Sequence, residues 1–563
     1  MRLFTRRTVL AALAFAALAA CAPQPRTAAG PGDPQAAVVA MPDGFSADVA
    51  SQVIEAGGNA VDAAVAAAFA LAVTYPEAGN IGGGGFMLAY VDGSATFLDY
   101  RETAPDAATR DMYLDANGEV SGDPSLTGHR AAGVPGTVAG LWAAHRRFGR
   151  LHWEDLLSPA IRLAERGFVV PAQLEQRMES ELQRLRRVPG FRRHFGTMRS
   201  GAVFRQPALA ATLRRIAVDG PEGFYRGETA RLIVEEMRRG DGLITAADLE
   251  QYQPVWREPL HAQWRGFDVL SAPPPSSGGF AVIQLLKMKD ALAADFAGLA
   301  HNSAQYVHLV AEMEKRVFAD RAEYLGDPGY VQVPMADLMD ESYIAARASE
   351  VNPDAISPLE SVEPGLEPHD TIHFSIVDAD GNAVANTYTL NTNFGSGVVV
   401  AGGGFLLNNE MDDFSIKPGA PNYYGVVGSA ANEIQAGKRM LSSMSPTILL
   451  REGEVSMVVG SPGGSTIISS VFQSIVNILD FGLTPGQAVA APRFHHQLLP
   501  PDLITFSPGF PLPDEAQQAL RARGYDVRPH PWEMGDVQLI WRSGDRYLPA
   551  SDPRGRGDSR VIR

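Results

Sequence analysis

Two short runs of alternating polarity, joined by a tight acidic turn, constrain this chain more than any other stretch. In TIHFSIV (residues 371–377), Ile372, Phe374 and Ile376 alternate with Thr371, His373 and Ser375, the period of a strand. Asp378-Ala-Asp-Gly-Asn382 follows, and AVANTYTL (residues 383–390) reads as a second strand. A three-residue loop, Ala379-Asp380-Gly381, puts Gly381 where the backbone needs a positive φ, which glycine adopts without steric cost. Residue numbers then pair to a constant sum. Thr371 falls opposite Thr389, and two hydroxyls meet at the open end of the ladder. Taken alone, such a pair is ordinary cross-strand packing.

The chain around this hairpin is long enough to offer several readings. Its 563 residues, 45% of them hydrophobic, can bury a large core, either as several domains or as one sheet sandwich flanked by helices. A formal net charge of −16 argues against a nucleic-acid partner. The single cysteine, Cys21, excludes an intramolecular disulfide and a cysteine metal site. Residues 1–21 read as an export signal, with Arg2, Arg6 and Arg7 ahead of an apolar run too short to span a membrane. Leu18-Ala19-Ala20-Cys21 resembles a bacterial lipobox, which implies lipidation of Cys21; an ordinary signal cleaved near Ala20 or Ala22 fits the same pattern. Arg6-Arg7 also allows twin-arginine export. The Pro-, Gly- and Ala-rich stretch of residues 22–36 is a flexible tether.

Beyond the tether, residues 46–73 predict a long Ala-rich helix, stopped and restarted at Ala56-Gly57-Gly58-Asn59. The glycine run 82–85 lacks the spacing of a phosphate-binding loop. Residues 86–90 and 95–100 predict a first core hairpin, with Arg101 just beyond its end. Residues 130–350 read mostly as helix, with amphipathic segments at 151–166, 172–187, 207–218 and 227–239. The basic cluster 184–193 reads as a solvated helix face. From Thr371 onward strands alternate with Gly-rich turns, and helices are expected again at 467–479 and 513–524. The layer order this implies is helix, sheet, sheet, helix. His495-His496 suggests a metal pair, but adjacent histidines diverge and no third ligand stands near. Arg556-Gly557-Asp558 spells an adhesion tripeptide in a Gly-, Arg- and Asp-rich tail where chance accounts for it.

The run DTIHFSIVDADGNAVANTYTLNTNFGSG closely resembles the start of the small subunit of the γ-glutamyltransferases, which are N-terminal nucleophile hydrolases. The resemblance continues through LLNNEMDDFS, RMLSSMSPT, GSPGGS and APRFHHQ downstream, and AGGNAVDAAVAAAFALAVTYPEAGNIGGGGFM, DYRETAP and FADRAEYLGDP upstream. It covers nearly the whole chain after about residue 37. It implies an α/β fold, the four-layer αββα sandwich, with autocatalytic cleavage between Asp370 and Thr371. A large subunit (37–370) and a small catalytic subunit (371–563) would stay together as one globular unit.

The chemistry follows from both lines. A mid-chain threonine hydroxyl is a poor nucleophile, but a cut before Thr371 frees an α-amine on the same residue to act as base. Thr389 would orient that hydroxyl, and Gly463-Gly464, in a tight turn after a strand at 456–459, would offer backbone N–H groups to an oxyanion. The resemblance implies that Arg101, helped by Ser442 and Ser443, takes the substrate carboxylate, and that Asn391, Glu410 and Asp413 take its ammonium. Asp412 is expected to point away. Residues 418–428 resemble the lid loop of many members, with Tyr424 as its plug and Gly419, Gly425 and Gly428 as flexible points. The expected substrates are glutathione and other γ-glutamyl compounds, with no cofactor or metal and with membrane association only through the lipid anchor of an envelope or periplasmic protein. A cephalosporin or glutaryl acylase on the same scaffold is the alternative, as is a lipid-anchored binding protein without catalysis. The first has no use for the ammonium-reading residues; the second conflicts with an intact Thr371, Thr389 and Gly463-Gly464.

Overall fold

Residues 36–120, 122–358, 371–417 and 428–563 are described in a computed structural model. Strand β1 (Ala37–Met41) leads into helices α1 (Gly44–Glu55) and α2 (Ala60–Thr74), the Ala-rich stretch broken where expected. Asn59 restarts the helix through a capping box with Asp62. Every residue of α2 is buried, which small alanine side chains permit on all sides of a helix. The first hairpin forms from β2 (Gly84–Val91) and β3 (Ser94–Asp99). The glycine run beside it serves close approach of backbones. A Cβ on Gly83 would stand 2.1 Å from the Thr389 carbonyl oxygen, and one on Gly85 would stand 2.4 Å from the Tyr388 Cβ.

The region read as helical holds strands that the sequence pattern does not reveal, among them β4 (Val255–Arg257), β5 (Leu260–Trp264) and β6 (Phe267–Ser271). Alternation over so few residues does not stand out. Helices Trp153–Arg166, Pro207–Asp219 and Gly227–Arg239 match expectation. The helix predicted over 172–187 instead ends at Glu181; a 3₁₀ turn (Arg184–Arg187) and a short helix (Pro189–Phe195) follow. Pro189 opens the short helix, in the first turn where its missing N–H is not needed. This break also corrects the solvated-face reading at one position. Arg186, Arg187, Arg192 and Arg193 are exposed, but Arg184 donates to the carbonyls of Asn393 (2.6 Å) and Gly395 (3.1 Å).

Helices α3 (Gly278–Ala291) and α4 (Ala304–Tyr324) precede the central hairpin of β7 (Thr371–Val377) and β8 (Ala383–Thr389). Then come β9 (Thr447–Arg451), β10 (Glu454–Gly460), α5 (Thr466–Leu479), β11 (Gln538–Ser543), β12 (Arg546–Ser551) and β13 (Asp558–Ile562). One sheet has the order β13-β1-β7-β8-β2-β3-β4 and the other β12-β11-β10-β9-β6-β5. Segments from both sides of Thr371 are therefore woven into each sheet. The outer face of the first sheet packs Ile372, Phe374, Ile376 and Val384 against α1, α2 and the helices of residues 137–239. Its inner face meets the second sheet, which α3 and α5 cover. The layers are helix, sheet, sheet, helix, an α/β sandwich.

Candidate active site

The hairpin forms in the expected register. Thr371 pairs with Thr389, and Gly381 has φ +84°. Both threonines point to the inter-sheet face, with their hydroxyl oxygens 3.4 Å apart. That is longer than an ordinary O–H···O bond, so the contact is a loose one. The Thr389 Oγ1 accepts the Asn391 N–H at 2.8 Å. Asn391 holds φ +78°, a left-handed conformation that asparagine tolerates better than most residues. The Thr389 carbonyl accepts from the Asn80 amide at 2.8 Å, and the Asn80 side-chain oxygen accepts from Gly83 N–H and Thr137 Oγ1.

On the same face, two residues along β7, the buried His373 bridges Thr387 Oγ1 (2.7 Å) and Ser375 Oγ (3.1 Å). Burial pushes its imidazole down to about 3, so it is neutral at physiological pH. A Cβ on Gly460 would stand 2.2 Å from this ring. The end of β10 thus lies flat against the hairpin, and the chain continues into Gly463-Gly464 at the N-terminus of α5. These glycines have φ +129° and +51°, a pair of conformations that side chains would strain. Among the described residues neither N–H has a hydrogen-bond partner. A helix N-terminus with open N–H groups favours negative charge.

The charged residues form a second centre. Arg101 follows β3 and is buried, with Nη1 2.9 Å from Glu410 Oε2 and Nη2 paired to Asp413. Its Nε and Nη2 donate to the carbonyls of Met440 (3.3 Å) and Leu441 (3.2 Å). Glu410 and Asp413 reach the same guanidinium because Glu410–Asp413 is a 3₁₀ turn, in which residues three apart share a face. Asp412 still points away and accepts from Ser125 Oγ at 2.6 Å. Residues assigned by sequence to opposite ends of a ligand thus touch one another here. Ser442 Oγ accepts the Met444 N–H (3.2 Å), and Ser443 Oγ accepts from Arg321 (3.1 Å).

Glu102 is the member that sequence reasoning missed. It is fully buried, 3.9 Å from Arg101 Nη1, and neither carboxyl oxygen has a hydrogen-bond partner among the described residues. Burial outweighs the attraction of Arg101 and pushes Glu102 up to about 8; burial also raises Glu410 well above the carboxylate range. For Arg101 burial acts downward, but Glu410 and Asp413 outweigh it and keep the guanidinium charged. Only its place beside Arg101 in DYRETAP marked Glu102. The two centres are joined through Asn391, whose amide donates to the Asn409 carbonyl at 3.0 Å, next to Glu410.

Cys21, Asp370, Tyr424 and residues 418–427 of the expected lid lie outside the described residues, as do the export signal and the tether up to residue 35. Among the described residues no helix is long and apolar enough to cross a membrane, and no His, Cys, Asp and Glu group is placed to hold a metal ion. His495 and His496 diverge: His495 Nδ1 meets Ser469, and His496 Nδ1 meets the Leu503 carbonyl. Arg556 of the tripeptide is tied inward, to Glu77 at 2.5 Å and over the Tyr75 ring.

The family model described as Gamma-glutamyltranspeptidase matches residues 46–562. The chain is 58% identical over 525 residues to the glutathione hydrolase proenzyme of Pseudomonas aeruginosa, covering 93% of this chain and 94% of that one. Among solved structures, cephalosporin acylase from Bacillus halodurans superposes with a TM-score of 0.84 at 27% identity, covering 97% of this chain and 99% of that one. Gamma-glutamyltranspeptidase from Pseudomonas nitroreducens, complexed with L-DON, superposes with a TM-score of 0.56 at 58% identity, covering 56% of this chain and 95% of that one.

Proposed function

The chain belongs to the gamma-glutamyltranspeptidase family, and on that premise we propose which of its residues carry the reaction. It is an enzyme that cleaves γ-glutamyl amide bonds, those of glutathione among them, and passes the γ-glutamyl group to water or to an acceptor amine. Its chain is cut between Asp370 and Thr371, leaving Thr371 with a free α-amine of intrinsic pKa about 8. The Thr371 hydroxyl attacks the γ-carbonyl carbon while its proton passes to that amine. The tetrahedral oxyanion is met by the N–H groups of Gly463 and Gly464. Collapse expels the amine product, which takes up the proton, and leaves an ester on Thr371. Water or an acceptor amine then attacks the ester by the same route in reverse.

The substrate's α-ammonium displaces the internal contacts of the charged centre. Asp413, Glu410 and Asn391 receive it, and Arg101 with Ser442 and Ser443 receives the α-carboxylate. Burial favours the protonated forms of Glu102 and Glu410, and an added cation among the three carboxyl groups around the guanidinium would favour their ionised forms. What supports the assignment most is the meeting of Thr371 with Thr389 at the open end of the hairpin, joined through Asn391 to Arg101's partners. An acylase reading draws on the fold match to cephalosporin acylase, but it leaves the ammonium-reading residues without use. Export with a lipid anchor at Cys21 completes the proposal.

The test of maturation is direct. Purified protein should run as two chains on a denaturing gel, and the smaller should begin Thr-Ile-His-Phe. Full activity in a protein that stays uncut would refute the mechanism.

A further inference from the structure

Behind the Gly463-Gly464 turn lies a buried row of polar side chains that the reaction as described does not use. Ser465 is the N-cap residue of α5, yet its hydroxyl makes no capping bond to the helix, the usual task of a serine there. Its Oγ lies 3.2 Å from His495 Nε2 and 2.6 Å from the Gln497 side-chain oxygen. His495 Nδ1 lies 2.6 Å from Ser469 Oγ, one turn along α5. Ser469 donates to Glu314 Oε1 at 2.6 Å, and Glu314 Oε2 accepts the His496 N–H at 2.9 Å. His495 Nε2 also lies 2.9 Å from the Gln497 side-chain oxygen, so imidazole, hydroxyls and carboxyl form one connected row.

All four side chains are buried. Glu314 sits on α4, ahead of Thr371 in the chain, whereas Ser465, Ser469 and His495 follow it. The row therefore ties the two segments together directly behind the turn. A turn of two glycines is the most compliant backbone available, and an oxyanion site works only if its N–H groups are held in place. We propose that Glu314, Ser469 and His495 are positioning residues, which hold Ser465 and through it the Gly463 and Gly464 N–H groups in line with the oxyanion. This rests on that turn being the oxyanion site.

Ser469→Ala removes the link without touching the turn. Loss of an entire oxyanion donor costs about 10²–10³ in kcat, so misalignment should cost about tenfold, with KM within about twofold. Affinity for glutamate, a ground-state ligand, should stay unchanged. Affinity for the γ-boronic acid analogue of glutamate, which forms a tetrahedral adduct on the hydroxyl, should fall by the same factor as kcat/KM. Glu314→Gln retains an acceptor for Ser469 or for His496 but not for both, and should shift the same quantities less. It decides the matter if Ser469→Ala yields no cleaved protein. Unchanged kcat and boronate affinity, or equal weakening of glutamate and boronate, overturns the positioning role. Gly464→Ala separates the two layers: if it leaves kcat intact, the oxyanion assignment itself fails. If it abolishes turnover while Ser469→Ala and Glu314→Gln are silent, only the positioning role fails.

Discussion

The hydroxyl end of the site and its charged centre are built in opposite ways. Thr371 and Thr389 are 18 residues apart on one hairpin, they are neutral, and they touch at 3.4 Å. Arg101 and Asp413 are 312 residues apart, they are charged, and burial strips both of much of their water. The Thr371 hydroxyl can be lost without leaving a charge uncompensated. A buried ion pair that loses one partner leaves an uncompensated charge, at a cost of about 3–5 kcal/mol. The hydroxyl end can therefore change at little risk to stability, whereas the charged centre cannot.

The largest effect that would sharpen this contrast comes from Thr371→Ala. It should abolish turnover and keep the protein as one full-length chain, while the melting temperature moves by no more than a few degrees. A large loss of stability would break the comparison, since it would mean that the hydroxyl end also holds the fold.

Next comes Asp413→Asn, which keeps the shape and removes the charge. Losing one partner of a charge-assisted hydrogen bond in a closed site costs on the order of 2–4 kcal/mol, enough to lower kcat/KM for a γ-glutamyl substrate well over tenfold. Cleavage before Thr371 involves no bound ammonium and should proceed. A glutaryl analogue, which retains the carboxylate but lacks the ammonium, should lose much less. Equal losses on both substrates would show that Asp413 acts through Arg101 alone.

The smallest effect concerns pH. Burial raises Glu102 to about 8, whereas an unfolded glutamate titrates near 4.3. Between those values the folded chain keeps a proton that the unfolded chain releases, so stability falls as pH rises through that window and levels off above it. The slope is at most about 1.4 kcal/mol per pH unit. Denaturant titrations from pH 5 to 8 should show a shallower fall in Glu102→Gln than in wild type. An unchanged slope would mean that Arg101 keeps Glu102 ionised throughout.

Much of the site was legible because its signals are local. Alternation in 371–377 and a glycine at the turn specify the ladder, and from it the Thr371–Thr389 pairing. The paired glycines 463 and 464 mark a turn that needs positive φ twice. Asn59 and Asp62 announce the restart of a helix. Where the signal was short or the cause distant, reading from sequence went astray. Strands β4 to β6 are too brief to show a period, and Arg184 looked solvated because nothing near it in sequence reveals the carbonyls of Asn393 and Gly395.

By itself, then, the sequence determined the hairpin, its register, the hydroxyl pair and the glycine turn, since steric limits on φ and the pleat of a strand act over a few residues. Only the tertiary structure decided that a 3₁₀ turn brings Glu410 and Asp413 to one guanidinium, that Glu102 lies buried beside them, and that Glu314 reaches across to Ser469. Those outcomes rest on desolvation and on contacts between distant segments. Neither is a property of any stretch of chain until the rest has folded around it.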